Sequence, residues 1–241
     1  MKIVGIESSS LVASVAVLED DTLIAEYTVN YKKTHSQTLL PMLDEILTMT
    51  EQELSGVDGI AVSEGPGSFT GLRIGSATAK GLGLALGKPL LAVPTVDAMA
   101  YQLFGCAHLI CPIMDAKRQQ VYTGLYTFEE EFCVLKPACA MALSELLTEL
   151  ATQEKKVVFL GDGVPVSQEE IRQTLGEQAL FAPAPCSRQR AAAVAALGLT
   201  YLRAGRVQTA AEHAPNYIRV SQAERELARK RAAAAREAGH E

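Results

Sequence analysis

Residues 63–71 read SEGPGSFTG, three glycines and a proline between a short apolar run and a long segment with helical character. A glycine-rich turn between a strand and a helix is a place where backbone amides can cradle a phosphate. Gly65, Gly67 and Gly71 give G-x-G-x-x-x-G, one residue longer than the dinucleotide fingerprint, and no acidic residue ends a second strand about 20 residues on. No Gly-Lys-Ser/Thr follows, so the turn is not a P-loop. Ser8, Ser9 and Ser10 in GIESSSLVASV and Asp115 in MDAKRQQ are the remaining candidates for nucleotide contact. Turns favour serine in any case, and Lys117 and Arg118 stand where glycines would let a phosphate approach the backbone. Candidates for base or nucleophile chemistry are Glu7, His35, Ser36, Glu64 and Asp115, but their order supports no triad. Five cysteines lack any C-x-x-C pair, and the scattered histidines His35, His108, His213 and His240 suit no structural zinc site. Neither a metal nor a cofactor is expected.

The segment after the turn raises a different question. Gly71, Gly75, Ala79 and Gly83 recur at four-residue intervals, which places them in one stripe of a helix. Gly75, Gly81 and Gly83 together cost roughly 3 kcal/mol against alanine in a helix interior. A side-chain-free stripe offsets that cost by admitting another backbone closely. The visitor is either this protein's own sheet or a partner helix, and the spacing leaves both open. On the partner reading, Gly75→Leu blocks docking and spares the fold.

The elements that must position these residues follow from the patterning. KIVGIE (2–7), ASVAVLE (13–19) and TLIAEYTVN (22–30) read as three strands, with a hairpin turn at EDD (19–21). SQTLLPMLDEILTMT has Leu39, Leu40, Leu43, Ile46 and Leu47 at helical spacing, and Pro41 fits only in a first turn or at a kink. A strand, the glycine turn, a helix over 70–86, a strand at 88–93 and a short helix capped by Thr95 complete the first half. The second half repeats the order: three strands, a helix, a strand ending in the GDG turn at 161–163, a helix, then a weak strand and an alanine-rich helix ending at Gly205. No residue-level repeat is visible; the duplication is one of topology. Meandering strands followed by alternating helices and strands imply mixed sheets with helices on both faces. The expected units are a lobe at 1–104, a second at 105–205, and an extended segment with a charged helix at 206–241.

Composition bounds the function. The chain has 241 residues, 48% hydrophobic and 21% charged, with a formal net charge of -6 and no Trp. That charge gives no field to draw in a phosphate backbone, and 5% aromatics leave few stacking platforms for single-stranded nucleic acid. The N-terminus lacks signal-peptide character and no apolar run reaches membrane-spanning length, so a cytoplasmic protein with reduced thiols is expected.

GIESSS…ASVAV, THSQTLLPMLDEIL, VSEGPGSFTGLRIGSATAKGLGLALGKPLLAVPT, MDAKRQQVYTGLY and PNYIRVSQAE together resemble the TsaB family, from residue 1 to about residue 224. The resemblance implies an α/β, two-lobed actin/hexokinase-like (ASKHA) fold. It also implies a non-catalytic partner of the transferase TsaD in forming threonylcarbamoyladenosine beside the tRNA anticodon, with recruitment of the ATPase TsaE and tRNA reached through the complex. The TsaD-pairing surface of the family maps to helices at 37–49 and 70–86. That makes Leu39, Leu43, Leu47, Gly71, Arg73, Gly75, Ala79 and Gly83 the candidate interface, through which a homodimer is also expected when the chain is alone. Thr95 and Met99 stand where the catalytic paralogue carries two metal-binding histidines, and neither replaces an imidazole. The competing expectations are a small-molecule kinase or ATPase using the cleft and, less favoured, a metallopeptidase. RELARKRAAAAREAGHE at the C-terminus maps onto no family function.

Overall fold

The computed structural model describes residues 1–219. The charged helix expected at the C-terminus lies outside the described residues. Ten strands form two five-stranded sheets. In the first, β1 (Lys2–Glu7), β2 (Val12–Glu19) and β3 (Thr22–Asn30) make an antiparallel meander, and β4 (Gly59–Gly65) and β5 (Leu90–Pro94) add in parallel, giving the order β3-β2-β1-β4-β5. In the second, β6 (Leu109–Asp115), β7 (Gln120–Phe128) and β8 (Phe132–Ala142) form the meander and β9 (Val157–Leu160) and β10 (Ala179–Phe181) the parallel extension, giving β10-β9-β6-β7-β8. Read from each meander, the two orders are the same, so the topological duplication expected from the sequence is present.

Both faces of each sheet are covered because side chains alternate across a strand. On one face of the first sheet, Val4, Ile6, Val15, Val17, Ile60 and Val62 pack under α1 (His35–Met49) and α2 (Phe69–Leu86). On the other, Ile3, Ala61, Leu91 and Val93 meet the alanine-rich α6 (Ala191–Arg203). A Cβ at Gly5 would lie 2.3 Å from the Ala191 carbonyl oxygen and one at Gly198 2.6 Å from Ala61 Cβ, so glycines on both elements set the depth of this contact. The second sheet buries Cys111, Ile113, Val121 and Phe159 under α4 (Leu143–Leu150) and α5 (Val164–Leu175). Its opposite face, with Ile110, Met114, Tyr126 and Leu160, takes Val96, Met99 and Ala100 of α3 (Thr95–Tyr101). Each half therefore lends one helix to the middle: α6, from the second half of the chain, packs on the first sheet, and α3, from the first half, packs on the second.

Two local expectations are corrected. Pro41 lies inside α1 rather than in its first turn; its side chain is exposed, where the loss of one amide donor is supplied by water. Thr95 does not cap α3 but is its first residue, after Pro94 at the cap. By contrast α2 is delimited as its ends suggest: Ser68 Oγ accepts from the Gly71 N–H at 3.3 Å, and Gly87 closes the helix at φ 63°.

Candidate functional site

The turns at the ends of the parallel strands converge on a cleft of about 520 Å³ between the two sheets. Ser9 and Ser10 from the β1–β2 turn, Asp115 and Lys117 from the β6–β7 turn, Ser68 before α2 and Asp162 after β9 line it.

The two meander turns are built alike. Glu7 ends β1 and its Oε1 accepts from the Ser9 N–H at 2.6 Å; Asp115 ends β6 and its Oδ1 accepts from the Lys117 N–H at 2.8 Å. β4 ends on Gly65, which opens Gly65-Pro66-Gly67, and after β9 comes Gly161-Asp162-Gly163; the first glycine of each has positive φ, 125° and 112°. No repeat shows in the sequence, but the structure shows this one: turns with the same hydrogen bond and the same positive φ, which share two glycines and a carboxylate, too little to register without the fold.

Every glycine of the SEGPGSFTG turn has an internal reason. A Cβ at Gly65 would sit 2.4 Å from the Asn216 carbonyl oxygen, at Gly67 2.3 Å from that of Ser9, and at Gly71 2.1 Å from that of Ser8. The turn is thin because the β1–β2 turn lies against it, with the Ser68 N–H donating to the Ser9 carbonyl at 2.6 Å. The helix stripe has the same explanation. Gly71, Gly75, Ala79 and Gly83 are buried, and a Cβ at Gly75 would lie 2.2 Å from Ser8 Oγ. The visitor admitted by the stripe is this chain's own β1–β2 turn and β5, so the expectation that Gly71, Gly75, Ala79 and Gly83 face a partner is corrected. Gly75→Leu would strike the core and cannot spare the fold. Leu39 and Leu43 are also core residues and Leu47 is half-buried; of the eight expected interface residues only Arg73 is exposed.

The candidates for nucleotide contact divide. Ser8 is fully buried and donates to the Gly71 carbonyl at 2.9 Å, so it does not reach the cleft, whereas Ser9, Ser10 and Asp115 do. Burial alone would push the Asp115 carboxyl up, but hydrogen bonds from the Lys117 ammonium and N–H, with the charge of Lys117, outweigh it and hold that carboxyl below its usual range. His35 Nε2 donates to the Ser10 carbonyl at 2.8 Å; its ring supports the turn. Buried carboxylates lie at and beneath the cleft floor. Burial raises the Glu7 carboxyl above its ordinary value, the Ser9 hydrogen bonds oppose this, and nearby Asp162 raises it further. Burial likewise raises Asp162, with Arg188 opposing. Asp162 and the neighbouring Arg188 and Gln189 went unnoticed in the sequence, because a G-D-G turn is common and its partner carboxylate lies 155 positions away.

At the positions of the absent histidine pair, Thr95 and Met99 are 0% and 1% exposed. Met99 packs with Met114, Tyr126 and Leu160, and its Cε would be 2.8 Å from a Cβ at Gly161. Among the described residues no group of three or more His, Cys, Asp or Glu side chains is arranged to hold a metal ion, and no helix is long and apolar enough to cross a membrane.

Comparison with known proteins agrees with this geometry. The family model described as "TsaD: tRNA N6-adenosine threonylcarbamoyltransferase" matches residues 22–227. The tRNA threonylcarbamoyladenosine biosynthesis protein TsaB of Bacillus subtilis is 33% identical over 227 residues, 93% of this chain and 96% of its own length. That of Escherichia coli is 34% identical over 148 residues, 57% of this chain and 63% of its own length. A Pseudomonas aeruginosa structure described as an uncharacterized protein with similarity to peptidase YEAZ aligns with a TM-score of 0.76 at 25% identity, covering 90% of this chain and 99% of that one. A ROK hexokinase from Thermus thermophilus aligns at TM-score 0.51 and 12% identity, covering 85% of this chain and all (100%) of its own. This last likeness shows the fold alone: the two-lobed actin/hexokinase-like architecture expected from the sequence.

Proposed function

The chain belongs to the TsaB family, and from that premise we propose that it works in tRNA threonylcarbamoyladenosine biosynthesis as a non-catalytic scaffold that pairs with a TsaD-like transferase and helps recruit a TsaE-like ATPase. Its family ties it to that biosynthesis. The observation that carries the scaffold reading is the packing at Thr95 and Met99: the space where the catalytic paralogue would hold a metal is closed by a threonine and by a methionine buried among Met114, Tyr126 and Leu160.

The docking surface is the outer side of α1 and α2, opposite the glycine stripe. Thr70, Arg73, Ala77, Gly81 and Leu84 are exposed along α2 at helical spacing, and Leu40 of α1 is 51% and Leu84 72% exposed. A Cβ at Gly81 would meet nothing within 4 Å, so the exposed glycine is where a partner backbone can come close. The test is reconstitution of threonylcarbamoylation from purified TsaD-like, TsaE-like and acyl-adenylate-forming components, with and without this chain. Activity that needs the chain supports the reading; equal activity without it overturns it. Gly81→Leu separates scaffold from fold: it fills open space on this chain and obstructs the partner, so size-exclusion co-elution with the transferase is lost while the melting temperature holds.

The kinase or ATPase alternative rests on Ser9, Ser10 and Asp115 lining one cleft. Against it stand the Lys117 ion pair that occupies Asp115 at 2.6 Å and the absence of glycine in the β1–β2 turn. Calorimetry of the lone chain with ATP and magnesium separates the two: micromolar binding favours the enzyme, no heat favours the scaffold.

A further inference from the structure

We propose that residues 206–219 are a strap that fastens the two lobes across the cleft, with Arg219 as its clasp, so that the cleft opens by release of the strap. The segment is laid over the first lobe by a series of independent contacts. Gln208 exchanges backbone hydrogen bonds with Leu90 of β5, at 2.8 and 2.9 Å, and so extends the sheet edge. Lys80 Nζ of α2 donates to the His213 carbonyl at 2.9 Å. The Asn216 N–H donates to the Glu64 carbonyl at 2.7 Å, at the glycine whose missing Cβ makes room for the Asn216 carbonyl. The Tyr217 ring stacks on Phe69 with centroids 4.6 Å apart, and Arg73 Nε donates to its hydroxyl at 3.2 Å.

Attachment to the second lobe is of a different kind. Arg219 Nη1 donates to the Ala116 carbonyl at 2.8 Å, and among the described residues this is the one hydrogen bond that the strap makes to the second sheet and its turns. Ala116 opens the β6–β7 turn, where Lys117, Arg118 and Gln119 all have left-handed φ, 65°, 59° and 58°. Three consecutive non-glycine residues in that region are held there by their surroundings rather than by their own preference. A many-point anchor on one lobe and a single charge-assisted bond to a strained turn on the other is the construction of a releasable fastening. Asn216, Tyr217, Ile218 and Arg219 themselves form one wall of the cleft, so release removes that wall and exposes the floor at Ser9 and Asp162 in one movement.

Amide hydrogen exchange on the full chain, read peptide by peptide, tests the proposal. In Arg219→Ala, amides at both 9–12 and 116–120 are expected to exchange about tenfold faster, as loss of one charge-assisted hydrogen bond allows. Arg219→Lys, which keeps a cationic donor, should restore most of the protection, and amides of β3 and β8 should not change. Tyr217→Ala, which cuts the stack and leaves Arg219 in place, should loosen the same two turns. Unchanged exchange at both turns in Arg219→Ala overturns the strap. So does a change confined to 116–120, which would make Arg219 a local support of its own turn.

Discussion

Gly75→Ala is expected to destabilise this protein, and removing the Ser8 hydroxyl first is expected to turn the same substitution into a stabilising one. An alanine in a helix interior is worth about 1 kcal/mol more than a glycine, so on propensity alone the change at Gly75 should help. The new Cβ, however, lies 2.2 Å from Ser8 Oγ and 3.4 Å from Ser8 Cβ, with Val62 Cγ2 at an ordinary 3.8 Å. The hydroxyl is the only severe obstacle. It is fully buried and fixed by its 2.9 Å bond to the Gly71 carbonyl. Turning it away forfeits a bond worth about 1 kcal/mol and leaves a buried hydroxyl without a partner, a further cost of about 1–3 kcal/mol. Net of the propensity gain, Gly75→Ala is expected to lose about 1–3 kcal/mol. Ser8→Ala loses only the hydrogen bond, about 1 kcal/mol. In the double variant the Cβ meets a methyl at tolerable distance, the propensity gain is realised, and the total returns to near zero. The interaction energy of the cycle is therefore about 2–4 kcal/mol, read by urea denaturation of the four proteins at constant m-value. Additivity to within about 0.5 kcal/mol would refute the inward-facing stripe and restore the case for a partner on that side.

Other outcomes follow from the same contacts. Glu26, its side chain 5% exposed and paired with the partly exposed Arg190, also accepts from the Ala192 N–H at 2.9 Å at the start of α6; Glu26→Ala removes both contacts and should cost about 1–3 kcal/mol, a fall in melting temperature of roughly 2–12 °C by calorimetry. Burial, with Lys80 nearby, holds the His213 imidazole below its ordinary 6.5. Folding thus favours the neutral ring: its contribution is complete above pH 6.5 and is lost as pH falls below that value, so His213→Gln should flatten the stability–pH curve between pH 5 and pH 7 (about one titrating group). Burial pushes the Cys111 thiol up to about 12, so an aromatic disulfide reagent at pH 8 should spare it in the native protein and reach it only on unfolding; rapid native modification at Cys111 in peptide maps would contradict the buried assignment.

Much of the fold was legible because its signals are local. Period-two runs placed β1 to β3 within a residue, the glycine turn and the segment after it placed α2 within a residue, and the order of elements disclosed a duplicated two-lobed architecture. The same locality explains the failures. The four-residue recurrence of Gly71, Gly75, Ala79 and Gly83 required a close neighbour but did not name it, since a helix face carries no label for inside or outside. Leu39 and Leu43 were expected at the interface because the family resemblance maps the pairing surface to a whole helix and does not say which of its faces meets the partner.

The sequence by itself determined what cannot be at this site: no P-loop, no histidine pair, no zinc spacing, each a matter of residue type at fixed separation. The tertiary structure alone decided what is there. The nearness of the Glu7 and Asp162 carboxyls, the lending of α3 and α6 across the lobes and the reach of Arg219 to Ala116 join positions far apart in the chain. Burial, which moves carboxylates and settles whether a glycine is a door or a wall seat, is a property of the packed whole and of no segment.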